Sequence, residues 1–248
     1  MDPDTFVAAA CSDPAGTGFV LDFDGTLSLI APTPEDATAL PGAPELLAGL
    51  AARDGLVAVL SGRRTEALRR LVPGEGVEYV GLYGAEDHRT GPPASVIASL
   101  VADARAFVAR EGLEGVRVED KGDSVAIHYR LAASAAAGAV VAGWAAVRAA
   151  DLGLQAQPGK MVVELIQPGP TKADALERLV ARHGLRRVLV AGDDVSDVGA
   201  LRRARELLGA DALRVGVASV EEPAGLAEVA DLMVPGPPAV VDLLTRFL

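Results

Sequence analysis

The 248-residue sequence has one cysteine, Cys11, which excludes an internal disulfide framework and is typical of a reducing compartment. Basic residues are also few: 23 lysines and arginines stand against 34 aspartates and glutamates, a net charge of −11. Nucleic acids and anionic membranes bind basic surfaces, so neither is expected as a main partner. The sequence has no apolar run of roughly 18 residues, the length of a membrane span, and no basic signal-peptide start. We therefore expect a cytoplasmic protein.

Apolar residues, by contrast, make up half of the sequence. Short β-branched runs alternate with Ala- and Leu-rich segments of helical periodicity. Near-continuous apolar strands between helices predict a parallel sheet covered on both faces, in a doubly wound, Rossmann-like α/β core. The predicted strands are Gly18–Asp22, Leu56–Leu60, Val77–Leu82, Arg187–Ala191, Leu213–Val217 and Leu232–Val234.

The middle of the chain has a different order of elements. Between residues 92 and 168 the pattern predicts a helix, two strands, a second helix and two further strands. This αββαββ order is typical of an antiparallel sheet with two helices on one face. We therefore predict a smaller α+β cap domain over residues 92–168, inserted into an α/β core formed by residues 1–91 and 169–248.

Two aspartates crowd the end of the first predicted strand. Asp22 and Asp24 leave the strand on the same side because they are two residues apart, at the edge where open α/β sheets bind ligands. Carboxylates so close repel each other unless a proton or a cation lies between them. Gly25 allows the backbone to approach an anion closely, and Thr26 adds a hydroxyl. Taken alone, the stretch is explained equally well by a turn at the strand end.

A second acidic cluster follows the predicted strand Arg187–Ala191. Asp193, Asp194 and Asp197 lie between that strand and the next helix. Capping of the helix N-terminus would account for Asp194 or Asp197, but not for all three carboxylates. Two acidic strand ends that meet at one sheet edge would form an oxygen-rich site suited to Mg²⁺.

Two shorter polar signals lie between the acidic clusters. Ser61 begins a Ser-Gly-Arg stretch that ends at Arg63, directly after an apolar strand. Ser61 could cap the following helix, or its hydroxyl could bind a phosphate oxygen. Thr171 and Asp174 have the spacing of a capping box at a helix start. Lys172 lies in this first turn, where its charge opposes the helix dipole, and that conflict favours a functional lysine.

Together, the four signals DxDGT, Ser, Lys and GDDxxD resemble the haloacid dehalogenase (HAD) superfamily of phosphotransferases. The resemblance implies that Asp22 is the nucleophile and forms an aspartyl-phosphate. It implies that Asp24 protonates the leaving oxygen and then activates the hydrolytic water. Ser61 and Lys172 would hold phosphoryl oxygens, and Gly25, Thr26 and Arg63 would belong to the substrate site.

The resemblance also implies a Mg²⁺ site at the two acidic clusters. Asp193 would bind the ion together with the Asp22 carboxylate and the Asp24 carbonyl, while Asp194 and Asp197 would complete or orient this set. A bound metal would allow a carboxylate to approach a phosphate dianion.

The predicted cap carries charged residues on alternating strand positions, which would suit sugar hydroxyls or simply a solvated sheet face. Its E-x-K-G…H-Y-R pair of strands and later G-K…E strand resemble trehalose-6-phosphate phosphatases. By that resemblance Glu119, Lys121 and Glu164 would bind the disaccharide hydroxyls. Three further residues would lie nearby: His128, Arg130 and Lys160.

The function that the resemblance implies is Mg²⁺-dependent hydrolysis of trehalose 6-phosphate to trehalose and phosphate. One alternative is a phosphatase of the same superfamily for another sugar phosphate, such as sucrose phosphate or a glycosyl-phosphoglycerate. A second is a catalytically silent regulatory domain that binds a sugar phosphate. In each case the expected partner is a small sugar phosphate, and the sequence leaves the oligomeric state open, a monomer included.

Overall fold

The computed structural model of the protein describes residues 2–53, 55–84, 94–166, 169 and 171–248. The chain divides into two compact units, the first made of Met1–His88 and Pro170–Leu248 and the second of Arg89–Gly169. The domain boundaries predicted at residues 91, 92 and 168 lie outside the described residues. In the part of the chain that is described, no helix is long and apolar enough to cross a membrane.

The first unit is built on a sheet of six parallel strands in the order β10-β9-β8-β1-β2-β3. The chain proceeds outward from β1 in one direction and from β8 in the other, so the strand order reverses between these two neighbours. Ligands of open α/β sheets bind at such a switch point. The strands are β1 (Thr17–Leu21), β2 (Leu56–Leu60), β3 (Glu78–Val80), β8 (Arg187–Gly192), β9 (Ala212–Val217) and β10 (Leu232–Val234).

Side chains of the central strands alternate between two apolar cores. In β1, Phe19 and Leu21 belong to one core and Val20 to the other, and all three are buried. Helices therefore cover both faces of the sheet, and the predicted doubly wound α/β fold is confirmed. The helices of this unit are α1 (Pro3–Ser12), α2 (Ala43–Ala51), α3 (Thr65–Leu71), α6 (Lys172–His183), α7 (Val195–Leu208), α8 (Leu226–Val229) and α9 (Pro237–Thr245).

The second unit has the predicted αββαββ order. Its four strands form an antiparallel sheet in the order β4-β5-β7-β6, and its two helices share one apolar core with that sheet. Val125 and Ile127 of β5 belong to this core, so Ala126 and His128 point to the opposite face. The elements are α4 (Ala94–Arg110), β4 (Arg117–Asp120), β5 (Val125–His128), α5 (Ala137–Leu152), β6 (Gln155–Gly159) and β7 (Val162–Ile166).

Candidate active site

The candidate site lies where β1, β8 and β2 end side by side. Asp22 directly follows β1, Asp193 follows β8 and Ser61 follows β2. The Asp22 backbone N–H donates to the carbonyl of Ala191 at 2.9 Å, which holds the first two strand ends together. Because the strands are parallel, their carboxyl ends meet at one edge of the sheet, and residues far apart in sequence become neighbours there.

Lys172 is the cation at the centre of this edge. A capping box between Thr171 and Asp174 starts α6, so Lys172 occupies its first turn as the sequence predicts. Its side chain is 2% exposed, and its ammonium Nζ lies 2.9 Å from Asp22 Oδ1 and 2.7 Å from Asp197 Oδ1. Burial alone would lower the pKa of Lys172, but the Asp197 and Asp22 carboxylates raise it above its ordinary value. The ammonium therefore stays charged at neutral pH.

Asp197 connects this lysine to the loop after β8. Its Oδ1 accepts the hydrogen bond from Lys172, while its Oδ2 accepts the backbone N–H groups of Asp193 at 3.2 Å and Asp194 at 3.0 Å. Asp194 caps α7, because its Oδ1 accepts the N–H of Val195 at 2.6 Å. Asp194 is thus the N-cap of α7, whereas Asp197 binds a buried cation as well as the backbone.

Gly25 brings the first acidic loop against the second. Its φ of +78° is left-handed, and a Cβ at this position would lie 1.9 Å from Asp193 Oδ2. The Asp193 carboxylate therefore rests on the glycine backbone, which no larger residue would allow. The close approach expected at Gly25 is observed with this carboxylate, and its contact with substrate stays a prediction.

Asp22, Asp193 and Asp197 form a group of buried carboxylates suited to a metal ion. One oxygen from each lies within 4.8 Å of the other two. Burial raises the pKa of Asp22 well above its ordinary value, and the charges of Asp197 and Asp193 raise it further, although Lys172 opposes them. Three carboxylates beside one ammonium leave excess negative charge, which a hard cation with a preference for oxygen ligands would neutralise. The donor set therefore fits a metal ion.

The side chain of Asp24 forms an ion pair with Arg63. Its carboxylate accepts two hydrogen bonds from Arg63, at 2.6 Å from Nε and 2.8 Å from Nη2. The Arg63 guanidinium also donates to the Pro34 carbonyl at 2.8 Å and lies 5.3 Å from the centre of the Phe23 ring. Such a planar, bidentate pair fixes the orientation of the carboxylate. The metal contact predicted for Asp24 involved its backbone carbonyl, and that contact stays a prediction.

The two predicted hydroxyl groups are both buried. Ser61 Oγ accepts the backbone N–H of Arg63 at 3.2 Å, and the N-cap position of α3 is occupied by Arg64. The alternative that Ser61 caps the next helix is therefore wrong, because α3 begins at Thr65 and the residue before it, Arg64, is its N-cap. Thr26 is fully buried, and its hydroxyl has no hydrogen-bond partner among the described residues.

In the second unit, Glu164 is the best buried of the predicted sugar ligands. The strand register places Glu119, Ala126 and Glu164 in one row across the sheet, on the face opposite the helices. Glu164 is 4% exposed, and its two carboxylate oxygens accept from Ser124 Oγ at 2.5 Å and Lys121 Nζ at 2.9 Å. The row therefore contains one buried carboxylate, Glu164, which is paired with the Lys121 ammonium.

The remaining predicted residues of this unit also form pairs. His128 Nε2 lies 2.8 Å from Glu119 Oε2, joining adjacent strands β5 and β4. Arg130 donates to the backbone carbonyl of Lys160 at 3.0 Å. Two of the pairs join side chains, Glu119 with His128 and Lys121 with Glu164, whereas Lys160 contributes its backbone carbonyl to Arg130.

Comparison with known proteins agrees with these motifs. A family model described as trehalose-phosphatase matches residues 20–225. The chain belongs to the trehalose-phosphatase family. The family predicted from the sequence is thereby confirmed, and with it the class of phosphoric monoester hydrolases.

The chain spans different shares of the lengths of its relatives. The chain is 32% identical over 220 residues to a probable trehalose-phosphate phosphatase of Sinorhizobium fredii, covering 85% of this chain and 82% of that one. It is 36% identical over 200 residues to a trehalose-phosphate phosphatase of Mycobacterium avium, covering 74% of this chain but half of the relative. The C-terminal domain of a C. albicans trehalose-6-phosphate phosphatase shares the fold, with a TM-score of 0.81, 18% identity and coverage of 100% and 97%.

The sequence did not predict the pairing of Arg63 with Asp24. Arg63 was expected at the substrate site, but the structure places its guanidinium on Asp24. β1 and β2 are neighbouring parallel strands, so the residues that follow them lie side by side. Local sequence patterns do not show which strands are neighbours, so the pairing of Arg63 with Asp24 follows from the fold alone.

Proposed function

We propose that this trehalose-phosphatase is a Mg²⁺-dependent enzyme that hydrolyses trehalose 6-phosphate to trehalose and phosphate through an aspartyl-phosphate on Asp22. The observation that carries the proposal is the buried Asp22 carboxylate, held by Lys172 at 2.9 Å beside Asp193 and Asp197. The names of its relatives support the substrate. The sheet edge supports phosphoryl transfer, because it combines a fixed carboxylate with a fixed cation.

In the first half of the reaction, an Asp22 carboxylate oxygen forms a bond to phosphorus. The bond from phosphorus to the sugar oxygen breaks at the same time, and Asp24 gives its proton to that oxygen. Trehalose leaves with this proton. Ser61 and Lys172 hold the phosphoryl oxygens. Gly25, Thr26 and Arg63 line the same site, where Arg63 orients the Asp24 carboxylate.

In the second half, water attacks the phosphorus of the aspartyl-phosphate. Asp24, now a carboxylate, takes a proton from this water, and the bond from phosphorus to Asp22 breaks. Phosphate leaves, and both aspartates return to their starting states. The Arg63 contacts at 2.6 and 2.8 Å support this role, because they hold the Asp24 carboxylate in one orientation.

Asp22, Asp193 and Asp197 would hold Mg²⁺, with the Asp24 carbonyl and Asp194 as the further contributors predicted from the sequence. When bound, the ion supplies positive charge that offsets the repulsion between a carboxylate and a phosphate dianion. Asp197 would also orient this set, because its oxygens accept hydrogen bonds from Lys172 and from the backbone N–H groups of Asp193 and Asp194.

For the sugar, we propose that Glu119, Lys121 and Glu164 bind the hydroxyls. A sheet face that is merely solvated would leave its carboxylates exposed, whereas Glu164 is 4% exposed and accepts two hydrogen bonds. This burial favours a binding role over the solvated alternative. His128 would fix the direction of the Glu119 carboxylate. Arg130 and Lys160 are proposed to lie near the sugar, as the sequence predicts.

The test is phosphate release from trehalose 6-phosphate, sucrose 6-phosphate and a glycosyl-phosphoglycerate, each with Mg²⁺ and with a chelator. Trehalose 6-phosphate should have the highest kcat/KM, and the chelator should abolish turnover. A higher kcat/KM for either other substrate would overturn the proposed substrate. Turnover that persists in chelator would overturn the metal requirement.

A matched pair of variants tests whether Asp22 is the nucleophile and whether the protein is instead a catalytically silent regulatory domain. Asp22→Asn should abolish turnover, whereas Asp36→Asn, in an exposed turn of the same unit, should leave it unchanged. A wild-type protein that binds trehalose 6-phosphate without releasing phosphate would favour the regulatory alternative. The cytoplasmic location expected from the single cysteine stays a prediction.

A further inference from the structure

Three consecutive residues after β3 have left-handed backbones. Leu82, Tyr83 and Gly84 have φ values of 48°, 57° and 88°. Glycine adopts this region freely, but a Cβ makes it unfavourable, and two successive non-glycine residues seldom share it. Backbone strain of this kind persists where the surroundings impose it, and it concentrates at functional sites. We call Leu82–Gly84 the left-handed turn.

On one side, the left-handed turn is hydrogen-bonded to the Ser-Gly-Arg loop, residues 61–63. The Leu82 N–H donates to the Arg63 carbonyl and the Tyr83 N–H donates to the Ser61 carbonyl, each at 3.0 Å. Between these bonds the Tyr83 ring lies over Gly62, since a Cβ on that glycine would be 2.6 Å from the tyrosine Oη. The turn thus contacts all three residues of the Ser-Gly-Arg loop.

On its other side, the left-handed turn rests on α6. A Cβ at Gly84 would lie 2.7 Å from the Cβ of Ala175, so the turn backbone packs directly on this helix. The Gly84 carbonyl also accepts a hydrogen bond from Arg178 at 3.1 Å. Ala175 lies about one helical turn after Lys172, the residue whose ammonium lies between Asp22 and Asp197.

We propose that Tyr83 is a positioning residue that sets the place of Ser61 relative to Lys172. The inference rests on the proposed function, in which these two residues hold the phosphoryl oxygens. β3 has three residues and lies at the edge of the sheet, so the strand alone gives this loop little support. The left-handed turn supplies the support by joining the loop to α6, and the Tyr83 ring keeps Gly62 and its neighbours in place.

The first test compares two leucine variants. Tyr83→Leu should lower kcat for trehalose 6-phosphate about 10- to 100-fold, the loss expected when a reacting group is misplaced by up to about 1 Å. Tyr79→Leu is the matched control, because Tyr79 lies in β3 and its hydroxyl donates to the Val72 carbonyl, away from the loop. It should lower the melting temperature and leave kcat unchanged. Unchanged kcat in Tyr83→Leu, or equal losses of kcat in both variants, would overturn the proposal.

The second test is a double-mutant cycle between the ring and the loop. Gly62→Ala places a methyl group against the Tyr83 ring and should lower kcat/KM. Glycine is tolerated at position 83 because the backbone there is left-handed. In the Tyr83→Gly variant the ring is absent, so Gly62→Ala should lower kcat/KM little further. Losses that simply multiply would show that the ring does not hold the loop.

A third measurement separates this inference from the proposed function. Binding of inorganic phosphate in the presence of Mg²⁺ is measured by calorimetry for the wild type, Tyr83→Leu and Tyr79→Leu. Weaker binding in Tyr83→Leu alone would support the positioning role even if trehalose 6-phosphate proved to be no substrate. Equal binding in all three proteins would overturn it, whatever the substrate.

Discussion

Replacement of Lys172 by methionine would test the electrostatics of the site without reference to the substrate. Methionine keeps the unbranched apolar stem of the side chain but removes its ammonium. That ammonium lies 2.9 Å from Asp22 Oδ1 and 2.7 Å from Asp197 Oδ1, and the lysine side chain is 2% exposed. The change therefore leaves two buried carboxylates, and Asp193 beside them, without this neighbouring charge.

The expected loss of stability follows from that burial. Removal of one partner from a buried ion pair destabilises a protein by about 3–5 kcal/mol, against about 0–1 kcal/mol for an exposed pair. Two carboxylates share Lys172, so we expect the upper part of the first range. At about 2–4 °C per kcal/mol for a domain of this size, the melting temperature should fall by about 8–20 °C.

Thermal unfolding in chelator, followed by titration with Mg²⁺, measures this effect. Mg²⁺ should stabilise Lys172→Met more than the wild type, because the ion meets more uncompensated negative charge. Lys121→Met is the matched control: its partner Glu164 keeps the Ser124 hydrogen bond, so a smaller loss of about 1–3 kcal/mol is expected. A Lys172→Met melting temperature within about 2 °C of the wild type in chelator would refute the reasoning.

Two further predictions concern other charged pairs. Arg63→Lys should lower kcat about 10-fold, because a single ammonium cannot hold both oxygens of Asp24; a similar loss in the neighbouring variant Arg64→Lys would contradict this. Asp231→Asn should lower the free energy of unfolding at pH 7 by about 1–3 kcal/mol. Burial alone would raise the pKa of Asp231, but hydrogen bonds from Arg214 hold the pKa below its ordinary value. The stabilisation is therefore complete above about pH 4, the pKa of an aspartate in the unfolded chain. It is lost as pH falls through the lower pKa that Asp231 has in the folded protein. Urea unfolding should show a larger loss at pH 7 than at pH 2, and equal losses would contradict the prediction.

The elements that the sequence predicted well are those with strong local patterns. The continuous apolar run of β2 coincides with its predicted bounds, Leu56–Leu60. Helix α6 begins at Lys172, directly after Thr171, as the predicted capping box requires. The residues of β2 are buried on both faces of the sheet. In α6, the capping box marks the start of the helix and the glycine after His183 marks its end. Local chemistry is sufficient in such segments.

The differences arise where contacts from distant residues decide the local structure. The third strand was predicted over Val77–Leu82 but ends at Val80, because hydrogen bonds to the Ser-Gly-Arg loop draw Leu82 into the left-handed turn. Helix α1 was not predicted. It is stabilised by the packing of Phe6 with Phe247, from opposite ends of the chain.

By itself, the sequence determined the α/β class, the inserted αββαββ order and the strand ends that carry Asp22 and Asp193. Apolar periodicity and the polar residues that interrupt it are local properties, so they can be read without the fold. The tertiary structure decided which charges meet: Lys172 with Asp22 and Asp197, and Arg63 with Asp24. These partners depend on which strands are neighbours and where each helix begins, because a charge is stabilised by groups within a few ångströms, whatever their distance in sequence.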